Sequence, residues 1–183
     1  MEYNNVGFNL LTSRRPFYLL ELMQMYSKII YTDVDVIWKK DPRPYFKGDF
    51  HFWAQIAGVI SGQPYFEGFI PFICTGFLAL KSSDLMKSVL RTWHETVSKD
   101  PQQNQDQNVF QNIVFDAEAN FGVLSMNYFP CGRPYFEIMS EETRKDAVII
   151  HNNYVIGKQN KVDRFKQHNL WSLDFLKGMS LKL

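Results

Sequence analysis

The chain has 183 residues, 45% of them hydrophobic and 21% charged, with a formal net charge of +1. This composition suits one domain, spanning residues 1–183, with a core of its own, and excludes a disordered chain. The near-zero charge provides no global field for nucleic acid or acidic membrane, and no apolar run approaches the roughly 18 residues of a membrane span.

Aromatic residues reach 16%, which suits either a thick core or a pocket that stacks on flat rings, sugars included. The N-terminal residues 1–8 are polar and carry no secretory signal, so the chain reads as cytosolic or as a fragment. Cys74 and Cys131 stand far apart in no zinc or redox spacing. One disulfide and two buried free thiols are both open.

In chain order, Ser13 is placed to cap a helix with Pro16 in its first turn and a body over residues 17–26, apolar nearly all round and so expected to be buried on most sides. A short apolar strand, 28–32, follows and ends at Asp33-Val34-Asp35. Asp41-Pro42-Arg43-Pro44 breaks regular structure. Residues 51–59 read as a strand, 58–71 as a Gly- and Pro-containing loop, and 76–80 as a buried strand. Ser82 or Ser83 then caps a helix with Leu85, Met86, Val89, Leu90, Trp93 and Val97 on one face. A polar stretch, 99–108, leads into a helix marked by Val109, Phe110 and Ile113. Strands are expected at 122–126 and 147–150, then a basic helix at 158–168 with Val162 and Phe165 inward. Pro-Tyr-Phe recurs at 44–46, 64–66 and 134–136 at irregular spacing, which is coincidence and not a repeat. Alternating strands and helices predict an α/β sandwich with a mixed, mainly parallel sheet.

The aspartate pair carries the sharpest chemistry. On an extended backbone, residues two apart share a face, so Asp33 and Asp35 should point to one spot beyond the strand end, where open α/β sheets bind ligands. Two like charges that close favour a cation between them. An EF-hand loop fails, because Ile37 and Trp38 stand where an oxygen ligand and the turn glycine belong. A haloacid dehalogenase-like phosphatase, with Asp33 as nucleophile and Asp35 as acid, fits the motif but lacks a convincing later acidic pair. A metal clamp on a sugar nucleotide is the third reading, and a pair of exposed strand-end carboxylates without chemistry the fourth.

His151-Asn152-Asn153 repeats the pattern of an apolar strand ending in a polar cluster, and an imidazole there can complete a Mn²⁺ or Mg²⁺ site with two carboxylates. Gly157-Lys158 offers close backbone approach and a point charge for phosphate; Lys158, Lys161, Arg164 and Lys166 also suit a solvated helix face. In Gln105-Asp106-Gln107-Asn108, Asp106 either holds a polar group of a substrate or caps a helix. Cys74-Thr75-Gly76-Phe77 enters a strand at a glycine that admits a ligand or simply turns. Ser13-Arg14-Arg15 puts cations in a first helical turn, where the dipole disfavours them unless they meet an anion.

Taken together, Ser13-Arg14-Arg15, Ile30-Tyr31-Thr32-Asp33-Val34-Asp35-Val36-Ile37-Trp38 with Asp41-Pro42, Cys74-Thr75-Gly76-Phe77, Asp106-Gln107, His151-Asn152-Asn153, Gly157-Lys158 and Leu170-Trp171 resemble the nucleotide-diphospho-sugar transferase domain of glycosyltransferase family 77, which includes α-1,3-xylosyltransferases acting on fucose. The resemblance implies a GT-A fold, a Rossmann-like sandwich, and a metal-dependent, retaining transfer of a sugar, xylose favoured, from a UDP-sugar to a glycan or glycoprotein in the Golgi lumen. It implies Asp33, Asp35 and His151 as ligands of Mn²⁺ or Mg²⁺. Arg14, Asp33, Asp35, Gly157 and Lys158 would bind the donor. Thr75, Gly76, Gln107 and Asn152 would line the acceptor or sugar pocket, with Asp106 as nucleophile or sugar-positioning base. Members of that family begin with a further strand and helix, so the chain reads as N-terminally incomplete, and a remnant that only binds glycan is a further alternative.

Overall fold

The computed structural model describes residues 6–57, 72–100 and 105–171. The expected loop at 58–71, with its Pro64-Tyr65-Phe66, and the end of the strand expected at 51–59 lie outside them. Helix α1 (Val6–Thr12) precedes α2 (Arg15–Met25), and strands β1 (Lys28–Thr32) and β2 (Val36–Trp38) follow. Next come β3 (Phe52–Ala57), β4 (Phe72–Lys81), α3 (Asp84–Lys99) and α4 (Asp106–Asp116). The described chain ends with β5 (Phe121–Val123), α5 (Glu141–Arg144), β6 (Ile149–His151) and α6 (Lys158–Gln167).

One sheet has the order β1-β4-β3-β5, and a second pairs β2 with β6. The sheet is mixed, as expected, but parallel strands do not predominate among the described residues. Only β3–β5 is parallel; β1–β4, β3–β4 and β2–β6 are antiparallel. Among the described residues, α3 and α4 lead the chain from β4 back to β5, which lies beside β3 in the same direction, and a parallel pair cannot be closed by a tight hairpin.

Alternation along the strands divides the core. Phe52 and Ala54 of β3 and Leu78 and Leu80 of β4 face α2, α3 and α4, packing on Leu19, Met23, Trp93 and Phe110. Trp53, Phe77 and Ala79 point the other way, against Leu124, Phe129, Val148 and Ile149. With both faces covered, β3 and β4 read as unbroken apolar runs. The aromatic richness is therefore largely core: Trp93, Phe52, Phe77, Phe110 and Phe129 are fully buried.

Of the two serines expected to cap α3, Ser83 does so, its Oγ accepting from Met86 N at 3.2 Å, and on the expected face Met86, Val89, Leu90, Trp93 and Val97 are buried and Leu85 half-buried. Ser13 differs. Its Oγ donates to Leu10 O, because α1 runs up to it and offers an open carbonyl. Helix α2 also differs from expectation: Arg15, Pro16, Leu19 and Met23 are buried, whereas Phe17, Tyr18 and Met25 are exposed. The Pro-Tyr-Phe copies at 44–46 and 134–136 take different shapes, a 3₁₀ turn and a π turn, which agrees with coincidence.

Candidate active site

Residues 33–35 are not extended. They form the tight turn at which the chain leaves β1, paired with β4, and enters β2, paired with β6. Val36 N donates to Asp33 O at 3.3 Å, and Val34 at the tip is fully exposed. The two carboxylates converge, as expected, but by curling around this turn rather than by strand alternation. The partner of Val36 across β2–β6 is His151, so the same pairing brings the imidazole to the turn.

Asp33 Oδ2 lies 3.9 Å and Asp35 Oδ1 3.5 Å from His151 Nε2. Their other oxygens are held from outside. Tyr31 OH donates to Asp33 Oδ1 at 2.6 Å, and Arg15 Nη2 donates to it at 3.0 Å. Lys161 Nζ donates to Asp35 Oδ2 at 2.5 Å. Asp33 Oδ2, Asp35 Oδ1 and His151 Nε2 are thus left facing one another.

Strand β4 makes the room. Ala54 pairs with Leu78 but the next residue, Gln55, pairs with Cys74, so Thr75, Gly76 and Phe77 have no partner on β3. Such an irregularity re-aims a strand, and it recurs beside functional sites. Gly76 O accepts from Asp33 N at 2.8 Å. A Cβ on Gly76 would stand 2.1 Å from His151 Cε1, 2.8 Å from Nε2 and 2.9 Å from Asp33 Oδ2. Glycine is required here because imidazole and carboxylate occupy the volume of a side chain.

Arg15 crosses beneath the cluster, 8% exposed. Its Nε donates to Tyr31 OH at 3.0 Å and its Nη1 to Thr75 O at 3.2 Å. Nη1 also lies 2.8 Å from Asp106 Oδ2, a charge contact without an aligned hydrogen bond. The cation in the first turn of α2, unfavourable for the dipole, is met by two internal carboxylates.

Burial disfavours a charged Arg15, but Asp106 and Asp33 outweigh it and raise its pKa further. Burial raises Asp106 even beside Arg15. Burial also acts against the Asp35 carboxylate, yet His151 and Lys161 hold it well below the usual range. For His151, burial opposes the imidazolium, while Cys74 and Asp35 more than compensate and raise the ring to about 10.

The structure brings Asp33, Asp35, His151, Thr75, Gly76, Gln107 and Asp106 into one neighbourhood. Gln107 Oε1 accepts from Thr75 N at 3.2 Å. Asn152 is fully buried and its Nδ2 donates to Lys161 O at 3.0 Å, so it ties α6 to the site and does not line an open pocket. Gly157 sits at φ 90°, before the first residue of α6. Arg14 and Lys158 are exposed, and their helical neighbours Arg15 and Lys161 make the contacts.

Helical phase held the signal for both. Arg15 shares its stripe with Leu19 and Met23, and Lys161 lies one turn from Phe165, all buried but the lysine. Nothing in the sequence marks Tyr31 as a site residue, and nothing marks a meeting of Cys74 with Cys131. Both are free thiols, and Cys74 Sγ lies 3.3 Å from His151 Nδ1. No spacing in the sequence marks that contact between β4 and the end of β6, and a separate bridge sets Cys131 beside His151.

A profile of the nucleotide-diphospho-sugar transferase family matches residues 2–165. Among curated relatives, the Arabidopsis thaliana UDP-D-xylose:L-fucose alpha-1,3-D-xylosyltransferase 3 is 31% identical over 94% of this chain and 50% of its own. The Arabidopsis thaliana enzyme MGP4 of the same activity is 30% identical, over 94% and 52%. A Dictyostelium discoideum UDP-galactose:fucoside alpha-3-galactosyltransferase is 26% identical over 94% of this chain and 29% of its own. The chain spans about half the length of the Arabidopsis relatives. In structure it is similar to a glycosyltransferase involved in glycosylation of the major capsid of PBCV-1, with a TM-score of 0.61 at 14% identity over 89% of this chain and 77% of that one. It is also similar to the glycosyltransferase GlyE of Streptococcus pneumoniae TIGR4, with a TM-score of 0.54 at 15% identity over 88% and 44%. The fold is that of GT-A glycosyltransferases. These matches displace the phosphatase reading of Asp33, and the chain belongs to the nucleotide-diphospho-sugar transferase family.

Proposed function

We propose that the chain carries the donor and metal site of a UDP-sugar-dependent, retaining glycosyltransferase, with xylose as the favoured sugar and a glycan or glycoprotein as acceptor. The single observation behind this reading is the convergence of one carboxylate oxygen each from Asp33 and Asp35 with a ring nitrogen of His151, all within 4.8 Å of one another, around space that a Cβ on Gly76 would fill. Two carboxylates and an imidazole are a donor set for Mn²⁺ or Mg²⁺. Asp33, Asp35 and His151 would hold the ion, which when bound supplies positive charge against a departing diphosphate.

The charge balance supports a diphosphate ligand. Arg15, Lys161 and His151 face Asp33, Asp35 and Asp106, so the cluster is near neutral by itself. A divalent cation would leave it positive and ready for an anion. Lys161 is the lysine placed to meet that anion, since Lys158 is exposed at the start of α6. Arg15 fixes one Asp33 oxygen and leaves the other inward. Asp106, buried and 2.8 Å from Arg15, suits positioning of Arg15 and Asp33 better than attack on a sugar as a free nucleophile. The xylose preference follows the names of the Arabidopsis relatives. A Golgi compartment follows from the family resemblance; no described helix is long and apolar enough to cross a membrane.

Calorimetry of UDP-xylose with and without Mn²⁺ tests the reading. Native chain should bind the donor more tightly with the ion, and Asp35→Asn should abolish that gain. An Asp35→Asn variant that keeps it would refute the metal clamp. Donor binding with no UDP release from any sugar nucleotide would instead mark the chain as a binding remnant.

A further inference from the structure

His151 has a second nitrogen that the proposed transfer does not use. Its Nδ1 meets Cys74 Sγ at 3.3 Å, and Cys131 Sγ completes a trio whose ligand atoms all lie within 4.8 Å of one another. Cys74, Cys131 and His151 are 2%, 1% and 4% exposed, and neither thiol is in a disulfide. Around them, Cys131 Sγ donates to Ile56 O at 3.0 Å and Asn153 Nδ2 approaches Cys74 Sγ at 3.9 Å.

One buried cysteine behaves as a small apolar side chain. A thiol on the imidazole Nδ1 with a second thiol beside it is a different arrangement, because a ligand histidine ordinarily turns its second nitrogen to a carboxylate, a carbonyl or water. Two sulfurs and a nitrogen are soft donors, unlike the oxygens on the opposite side of the ring. Two thiolates also cancel the charge of a divalent ion, which makes its burial tolerable.

We propose that Cys74, Cys131 and His151 form a buried site for a thiophilic divalent ion of the zinc and cadmium class, distinct from the carboxylate cluster and sharing its imidazole. Binding sends both thiol protons and the Nδ1 proton to solvent, and replaces the hydrogen bond from Cys131 to Ile56. No electrons are exchanged.

The shared ring couples the sites. A neutral imidazole has one lone pair and one N–H. With Nδ1 on the soft ion, Nε2 keeps the proton and faces Asp35 as a donor, so the carboxylate cluster loses its nitrogen ligand. Each ion therefore weakens the other, and by linkage does so reciprocally. This coupling rests on the metal reading of Asp33, Asp35 and His151; the thiol site does not.

Cadmium titration of the full chain, followed by thiolate-to-metal charge-transfer absorbance, tests the site. One equivalent should saturate the band in native chain and in Asp35→Asn. Cys74→Ser and Cys131→Ser, verified as folded by circular dichroism, should lose it. No band in native chain, a band kept by both serine variants, or one lost in Asp35→Asn overturns the proposal. If a serine variant does not fold, cadmium-113 NMR of native chain decides, since a sulfur-rich site resonates far from an all-oxygen one. Electron paramagnetic resonance reads bound Mn²⁺ separately. Cadmium should release Mn²⁺ from native chain but not from Cys74→Ser, and retention of Mn²⁺ beside a full charge-transfer band overturns the sharing. A native chain that never binds Mn²⁺ sinks the function proposed above and the coupling with it, while the cadmium band still decides the thiol site.

Discussion

Lys161 Nζ lies 2.5 Å from Asp35 Oδ2, inside the cluster, whereas Lys158, at the start of the same helix, is exposed. A charged hydrogen bond contributes about 1.5–3 kcal/mol, roughly ten- to hundredfold in Kd. Lys161→Ala should therefore weaken UDP-sugar binding by about that factor, and Lys158→Ala by less than about twofold. Because Lys161 competes with any cation beside Asp35, Mn²⁺ alone should bind Lys161→Ala at least as tightly as native chain. Calorimetry with ion and donor separately reads both effects.

Gly76→Ala should dislodge His151, since the added Cβ would stand 2.1 Å from Cε1 of the ring. Overpacking costs about 1–3 kcal/mol, read from the urea midpoint. The diagnostic outcome is a loss of Mn²⁺ binding well beyond that modest instability. Native affinity in a folded Gly76→Ala would show that the ring has room to move.

Arg14 and Arg15 separate exposed from buried charge. Arg15→Met leaves Asp33 and Asp106 without their cation, and breaking a buried ion pair costs about 3–5 kcal/mol. Arg14→Met should shift stability by less than about 0.5 kcal/mol. Chemical denaturation of the two variants gives the comparison, and equal losses would contradict the placement of Arg15.

Acid should weaken the fold through Asp35. Its pKa in the folded chain lies below the ordinary 3.8, so its stabilisation is complete above that value and fades as pH falls further. The stability gap between native chain and Asp35→Asn should be full at pH 6 and shrink below about pH 4. A gap that stays constant down to about pH 2.5 would remove the pairing with His151 and Lys161 as its source.

The alkaline side belongs to His151, raised to about 10. Its stabilisation is present below the ordinary 6.5 and is lost as pH rises through the folded value. Because these partners favour the charged ring, a cation at Nε2 competes with a proton there. Calorimetry of Mn²⁺ binding in buffers of different ionisation enthalpy should return about one proton released per ion.

Local features were legible where one segment carries its own instruction. Strand 28–32, the Ser83 cap and the apolar face of α3 follow from periodicity and capping alone. The aspartates and His151 were legible as polar residues at the ends of apolar runs, since a charge at such a boundary is out of place unless something meets it. Sheet direction was not legible: whether β1 lies beside β4 depends on contacts far apart in sequence, and apolar alternation is the same in either orientation.

The residue types and order of the cluster were thus determined by sequence alone: two carboxylates, an imidazole, a glycine, and cations on two helices. Tertiary structure decided which atoms meet. Packing of Leu19 and Met23 turns α2 so that Arg15 and not Arg14 enters. Phe165 is the buried residue of α6, and Lys161, one turn before it, reaches Asp35. Pairing of β2 with β6 brings His151 to the aspartate turn, Cys74 of β4 meets the ring's other nitrogen, and the bridge at Cys131 adds a second thiol nearby. The physical reason is that a side chain's chemistry is local, whereas the direction it faces is set by apolar burial across the whole core.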